Sequence, residues 1–362
     1  SLVLILVISK LIDKTQIFNS LYLPFLAYLF FSKKSFFFNK TSLNLLFVNF
    51  LLIIFSYIFF RDIEYSVFVL ILRTISISVF YLSLFGLLPM NFEVFKSFRL
   101  TIFISIFAIF FIYDPPAVFR YSANTDGFIS TPGLFAAFSL SGLFPTSFYF
   151  AQLLTAYIIY FNSFIIKDNS QKIFSFLPRL PNIVLLTILL IFTNRKAFLF
   201  ALTIYPIYSL LLVLIEVIRT KLLKKKVAFF VLISAILVVI AYFTLYFGIR
   251  EYGFLRIFNE IRFRLVFYSS WAINPSGYTL GETGILAINK IGGYFLYSIT
   301  IILLTVSLLM SLSRIRINTI FNFISAYLYI FLFLFKEANT LMSPSPSSLL
   351  LCMIVSYLIR TI

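Results

Sequence analysis

Apolar and polar positions are not interspersed along this chain; they come in blocks. About twelve apolar blocks follow one another, near residues 1–9, 17–31, 43–60, 65–90, 100–113, 147–166, 182–193, 197–218, 227–248, 288–312, 317–335 and 347–360. Inside each block the apolar residues run continuously instead of alternating, which disfavours a β-barrel and predicts helices. A perpendicular membrane crossing needs about 20 residues, and flanking residues of mixed polarity make up the difference for the shorter blocks. The predicted fold is all-α: a polytopic transmembrane helix bundle of about 12 spans, forming a single integral membrane domain over residues 1–362. The chain opens inside an apolar block at Ser1, and residues 2–8 lack the basic start and cleavage site of a signal peptide.

The basic residues give this pattern a direction. Alternate breaks hold Lys33, Lys34 and Lys40; Lys96 and Arg99; Lys167, Lys172 and Arg179; the run RTKLLKKK at 219–226; Arg314 and Arg316; and Arg360. Short loops rich in Lys and Arg stay on the cytoplasmic side. The other breaks, at 61–65, 114–146, 194–196, 249–287 and 336–346, then face the trans side, and both termini lie inside. The formal net charge of +17 therefore reads as loop cations facing anionic lipid, with membrane lipid and not nucleic acid as the partner.

Composition narrows the chemistry. The chain is 62% hydrophobic and 11% charged, far from a soluble domain. It has no histidine and a single cysteine, Cys352, inside an apolar block. A zinc site, a Cys–His pair, a disulfide framework and a Ser–His–Asp triad are thereby excluded. Acid–base work is left to carboxylates, Lys or Tyr, and the sequence predicts neither a metal nor a cofactor.

Charge is scarce, so where it collects on the trans side matters. The first long break, 114–146, carries only Asp114, Arg120 and Asp126. Arg120 can bind a phosphate or pair with either aspartate, and both readings stay open. The second, 249–287, carries Arg250, Glu251, Arg256, Glu260, Arg262, Arg264, Glu282 and the only tryptophan, Trp271. Phe254, Ile257, Phe258, Ile261 and Leu265 recur at helical spacing, with Arg256, Glu260 and Arg264 along another face. That pattern predicts an amphipathic interfacial helix. Gly277, Gly281 and Gly284 allow exposed amides that can cradle an anion. Arg195 and Lys196 form a tight corner, TNRK, with two cations on the trans face against the general trend. Arg73 interrupts the apolar block VFVLILRTISISVF and either faces a cavity or partner or snorkels to the trans headgroups. Arginines at a membrane surface suit a diphosphate, Tyr268, Trp271 and Tyr278 can stack on sugar rings, and Phe-rich helices can hold a polyprenyl tail.

The layout resembles the Wzy-type O-antigen and capsule polymerases of bacteria. The stretch RYSANTDGFI…SGLFPTSFYFAQLL is similar to that family's Arg-containing loop and the helix start behind it. FTNRKAFLFAL, with Asn194, Arg195 and Ala197, resembles its Asn-Arg-x-Ala corner, and RFRLVFYSSWAINPSGYTLGETG resembles its Arg…Trp…Pro…Gly…Gly loop. The likeness covers roughly residues 115–285; the chain departs from it at Pro145, Thr146 and Ser147, where the family often has an acidic residue before Pro-Ser. What the resemblance implies is glycosyl transfer at the periplasmic face of the bacterial inner membrane, in lipopolysaccharide or capsule biosynthesis. The growing glycan on undecaprenyl diphosphate would be the donor and one lipid-linked repeat unit the acceptor. Arg195, Arg262, Arg264 and Arg120, then Arg250 and Arg73, would hold the leaving diphosphate. Glu251 or Glu282, or the leaving phosphate itself, would take the acceptor proton. A chain-length regulator protein is a partner implied by the same analogy. Two other functions suit the layout: a flippase for lipid-linked oligosaccharide, which would need charges in a cavity open to both sides, and an O-antigen ligase, whose periplasmic loop characteristically carries a histidine that this chain lacks. A structural or sensory membrane protein is a third, and it leaves the trans arginines unexplained.

Overall fold

The computed structural model describes residues 21–31, 40–59, 67–90, 102–104, 122–123, 138–144, 147–167, 185–186, 189–190, 193, 284–316, 319–335 and 344–362. These residues are overwhelmingly helical. Along the chain come α1 (Tyr22–Phe31), α2 (Lys40–Phe59), α3 (Val67–Leu84), α4 (Ser147–Lys167), α5 (Gly284–Arg314), α6 (Ile320–Phe335) and α7 (Pro346–Arg360). Each grows from one of the apolar blocks. Among the described residues one stretch, Ile291–Arg314 in α5, is long and apolar enough to cross a membrane; shorter apolar helices of 10–17 residues include Tyr22–Phe31, Leu43–Ile58, Leu70–Leu84, Ser147–Ile159 and Pro346–Arg360. The blocks at 1–9, 197–218 and 227–248 lie outside the described residues.

Three boundaries differ from the sequence reading, each for a local reason. The block at 65–90 is helical only to Leu84. Gly86 takes φ 66°, its N–H bonds the Ser83 carbonyl at 3.1 Å, and the Leu87 N–H bonds the Leu82 carbonyl at 3.0 Å. This is a Schellman end, which only a residue tolerant of the left-handed region closes cheaply. The block at 288–312 begins earlier, at Gly284, so the second long break yields its last residues to α5. And the first long break contains a short antiparallel ladder, β1 (Ser122–Ala123) with β2 (Phe138–Ser139), in which Ser122 faces Ser139 and Ala123 faces Phe138. Nothing in the apolar pattern announces a ladder of two residues per strand, and it is an exception to the all-α expectation.

α7 is the centre of the bundle. Residues 346 to 359 are all buried, against α4, α3, α6 and α1. Ser345 caps its start, accepting from the Ser348 N–H at 3.2 Å, and Pro346 occupies the first turn, where its missing N–H costs nothing. α2 packs on α3 and α5, and α5 also packs on α6 and α3.

Side-chain contacts fix how these helices run. The ends of α3 and α7 meet where Arg360 Nε donates to the Gly86 carbonyl at 2.8 Å. Ser307, late in α5, donates to the Leu84 carbonyl at the end of α3. Asn322, early in α6, donates to Thr361 just past α7 at 3.0 Å. At the far side, Ser345 before α7 donates to Gln152 near the start of α4 at 3.4 Å. Gly292, near the start of α5, stands against Ser56 near the end of α2. So α3, α4, α5 and α7 run one way and α2 and α6 run the other. One end of the bundle thereby gathers Lys40, Lys167, Arg314, Arg316 and Arg360. The segments 60–66 and 336–343 connect helices at the opposite end, where α4 and α5 also begin.

Candidate functional site

The core is largely apolar, yet small polar residues are buried between the helices and large apolar side chains also face outward. Ser76, Ser78, Ser83, Gln152, Thr155, Thr300, Ser307, Ser348 and Ser356 are buried, while Phe47, Leu51, Phe55 and Ile58 of α2 and Ile302, Val306 and Leu309 of α5 are exposed. Small hydroxyl residues let helices approach closely and bond across the contact. On α7 they form a stripe: Ser345, Ser348, Cys352, Ser356 and Arg360 recur every three or four residues, on one side of the helix. The Cys352 thiol is in hydrogen-bonding contact with the Ser83 and Ser348 hydroxyls. Ser356 both donates to the Leu88 carbonyl, at 3.2 Å, and accepts from the Leu88 N–H, at 3.0 Å.

At the basic end these bonds build a lock. Ser307 spends its proton on the Leu84 carbonyl, so the contact at 2.7 Å between Ser307 and Tyr327 is made by the Tyr327 O–H donating. Tyr327 then accepts from Ser311 at 2.8 Å. The chain of donors runs Ser311 to Tyr327 to Ser307 to the α3 terminus and satisfies a carbonyl that the helix end leaves open. Tyr81 and Thr300 follow the same logic. Thr300 donates to the Leu296 carbonyl at 2.8 Å, so Tyr81 is the donor in their 2.6 Å contact. This end is architecture.

The opposite end is where chemistry was expected. Arg73 lies within the second turn of α3, half-buried, and its carbonyl accepts from the Ser76 hydroxyl at 3.0 Å. α3 and α7 run parallel with Ser83 beside Cys352, which sets Arg73 close to the level of the α7 cap. The cap itself is bonded to Gln152, which is fully buried. Thr155, one turn further along α4, and Ser347, in the first turn of α7, are also fully buried, and their hydroxyls have no hydrogen-bond partner among the described residues. Ser56, beside the start of α5, shares that condition. An unsatisfied buried hydroxyl costs roughly 1–3 kcal/mol, and the condition is not confined to this end, since Asn322 Oδ1 and the Ser325 hydroxyl toward the basic end share it.

Of the other predicted site residues, Arg120, Arg195, Arg250, Arg262, Arg264, Glu251, Glu282, Tyr268, Trp271 and Tyr278 lie outside the described residues. Described neighbours bracket three of them. Ser122 opens β1 just after Arg120. Thr193, buried, closes a turn just before Arg195, its N–H bonding the Leu189 and Leu190 carbonyls at 3.2 and 3.1 Å and its hydroxyl the Leu190 carbonyl at 2.6 Å. Gly284 starts α5 just after Glu282. The sequence reading missed the α7 stripe and the Gln152–Ser345 pair. Their signal was present, as polar residues at helical spacing inside the final apolar block and Gln152 inside an apolar helix. Among the described residues no group of three or more His, Cys, Asp or Glu side chains comes together. Comparison with family models, with characterised proteins and with solved structures finds no match for this chain.

Proposed function

We propose that this chain crosses the bacterial inner membrane about twelve times and polymerises undecaprenyl-diphosphate-linked oligosaccharide units, at the periplasmic face, into O-antigen or capsular polysaccharide. The observation that carries the membrane part is the row of large apolar side chains exposed along α2 and α5, with hydroxyls buried between the helices. The basic end, with Lys40, Lys167, Arg314, Arg316 and Arg360, is then cytoplasmic, and the two arginine-bearing segments attach at the periplasmic end. The enzymatic part is supported by the resemblance of those segments and of the TNRK corner to Wzy-type polymerases. In this reading Arg195, Arg262, Arg264, Arg120 and Arg250 stabilise the diphosphate as it leaves, with Arg73 contributing from the membrane side. Holding the acceptor hydroxyl in line supplies the rest, with Glu251, Glu282 or the leaving phosphate as base.

Arg195→Ala and Arg264→Ala test the reading in cells. Losing one preorganised donor to developing charge lowers a rate by about 10²–10³. Long surface polysaccharide chains should therefore shorten, and a single lipid-linked repeat should accumulate on the periplasmic side. Normal long chains in both variants would remove the diphosphate assignment. Accumulation of the repeat on the cytoplasmic side would transfer the chain to the flippases.

A further inference from the structure

Beyond Gly293, residues 294–314 of α5 form an unbroken helix that ends at Arg314. At about 1.5 Å per residue it rises roughly 30 Å, the thickness of a hydrocarbon core. Ile302, Val306 and Met310 are all exposed and follow one another at i, i+4 spacing, so they form a single ridge on its outer side. The next position on that ridge is Arg314, which is exposed as well. From Ile302 to Arg314 the ridge climbs about 18 Å, slightly more than half of a hydrocarbon core. An apolar track about one leaflet deep therefore ends on a cation.

A second cation stands just past the helix end. Arg316 is exposed, in the short turn that leads into α6. The backbone of that turn bonds itself. The Arg316 N–H donates to Thr319 Oγ1 at 3.0 Å, and the Thr319 N–H donates to the Arg316 carbonyl at 2.9 Å. The donors the turn has left to offer are guanidinium N–H groups. No carboxylate lies in sequence between Glu282 and Glu337, so neither α5 nor α6 carries an acid to balance the two arginines. The carbonyl end of α5 favours Arg314, but its field falls off within the last turn and leaves Arg316 unexplained. Attraction between basic loops and an anionic leaflet is ordinarily diffuse. Here two planar forks, which match a phosphate, stand at the head of an apolar ridge. A ligand that fits both halves has an anionic phosphate head and a hydrocarbon chain.

We infer that Arg314 and Arg316, with the ridge of Ile302, Val306 and Met310 beneath them, form a binding site for one anionic glycerophospholipid. Its phosphodiester lies on the guanidinium groups and an acyl chain follows the ridge. The site rests on α5 crossing the membrane and not on the polymerase reading. The full chain is purified in detergent and titrated with phosphatidylglycerol or with phosphatidylethanolamine, which has the same phosphodiester but no net charge. Native mass spectrometry reads the affinity of the first lipid bound, and alkaline carbonate extraction of cell membranes tests insertion. The wild type should hold phosphatidylglycerol more tightly. Arg314→Gln combined with Arg316→Gln should weaken that binding about fivefold for each arginine lost, with the unfolding midpoint unchanged because both residues are exposed. Lys224→Gln combined with Lys225→Gln removes the same charge from the run at 219–226 and should leave the first lipid in place. Glycerol 1-phosphate should fail to displace the lipid, since it cannot use the ridge. Equal loss in the two double variants would overturn the site in favour of diffuse charge. Equal affinity of the wild type for both lipids would overturn it too, as would displacement by glycerol 1-phosphate. A chain that resists carbonate yet shows no preference removes this site and leaves the membrane reading standing, whereas a chain released by carbonate removes both.

Discussion

Gly86 holds the end of α3 against the end of α7, and replacing it tests whether that junction carries the fold. Gly86→Ala meets two separate obstacles. Its φ of 66° is in the left-handed region, which costs a side-chain-bearing residue about 1–2 kcal/mol. Its new Cβ would lie 3.2 Å from the Arg360 N and Cβ and 3.3 Å from the Arg360 Cα. Those atoms belong to the backbone and root of α7 and cannot swing aside as a flexible tip would. Forcing a methyl into a packed contact costs about 1–3 kcal/mol. Shifting α7 would also stretch the 2.8 Å bond from Arg360 to the Gly86 carbonyl. Together the loss is about 3 kcal/mol, a large part of the total stability of an ordinary domain. The assay is reversible unfolding in mixed micelles by a denaturing detergent, followed by circular dichroism. Gly86→Asn separates the two obstacles, because Asn tolerates the left-handed region yet carries the same Cβ. If strain matters as argued, Asn should recover about 1 kcal/mol over Ala. A Gly86→Ala protein within about 0.5 kcal/mol of wild type would refute the junction.

Other outcomes follow from the same structure. Ser307→Ala should destabilise by about 1 kcal/mol more than Tyr327→Phe in the same unfolding assay, because it strands the Leu84 carbonyl while Ser311 can turn back to its own helix. Thr155→Val should stabilise the apo protein or leave it unchanged, since its buried hydroxyl has no partner among the described residues; a clear drop in midpoint would show that a bond had been lost. Cys352, the only cysteine and fully enclosed, should resist a maleimide in the folded protein and react at once on unfolding; rapid labelling in the native state would contradict its burial on α7.

Much of the helical frame was legible because a block of continuous apolar residues can do little else. The blocks at 43–60, 147–166, 317–335 and 347–360 become α2, α4, α6 and α7 with ends shifted by a few residues. Where the reading ran past a helix, the cause was conformational and invisible to hydropathy. Gly86 ends α3 through a left-handed turn inside a block that stays apolar to Leu88. Gly292 and Gly293 break α5 inside the block read as running continuously over 288–312. The ladder joining Ser122 to Ser139 pairs residues far apart in sequence and leaves no alternation to detect. At the site the reading followed charge, which marks where an anion could be held. It passed over Ser56, Gln152, Ser345 and Ser347, because a serine or glutamine in an apolar block is indistinguishable by composition from helix-packing glue.

That indistinguishability is itself informative. In water, leaving Phe47, Leu51 and Ile302 exposed while Ser307, Thr300 and Ser356 are buried is unfavourable on both counts, even around a largely apolar core. In lipid the outer face gains nothing by turning inward, and what holds helices together is close approach and polar bonding between them. Each buried hydroxyl is then either paired to a helix or waiting for something. Toward the basic end Ser311, Tyr327 and Ser307 hand protons along to the terminus of α3 and Ser356 bonds Leu88 twice, while Asn322 Oδ1 and the Ser325 hydroxyl lack partners among the described residues. Toward the other end, Ser56, Thr155 and Ser347 lack partners among the described residues. Unpaired buried polar atoms therefore occur toward both ends of the bundle, with more of them toward the end where α3, α4, α5 and α7 begin. Where a buried hydroxyl serves packing alone, an apolar isostere should stabilise the bundle, and a position that loses stability on that exchange has a bond to account for.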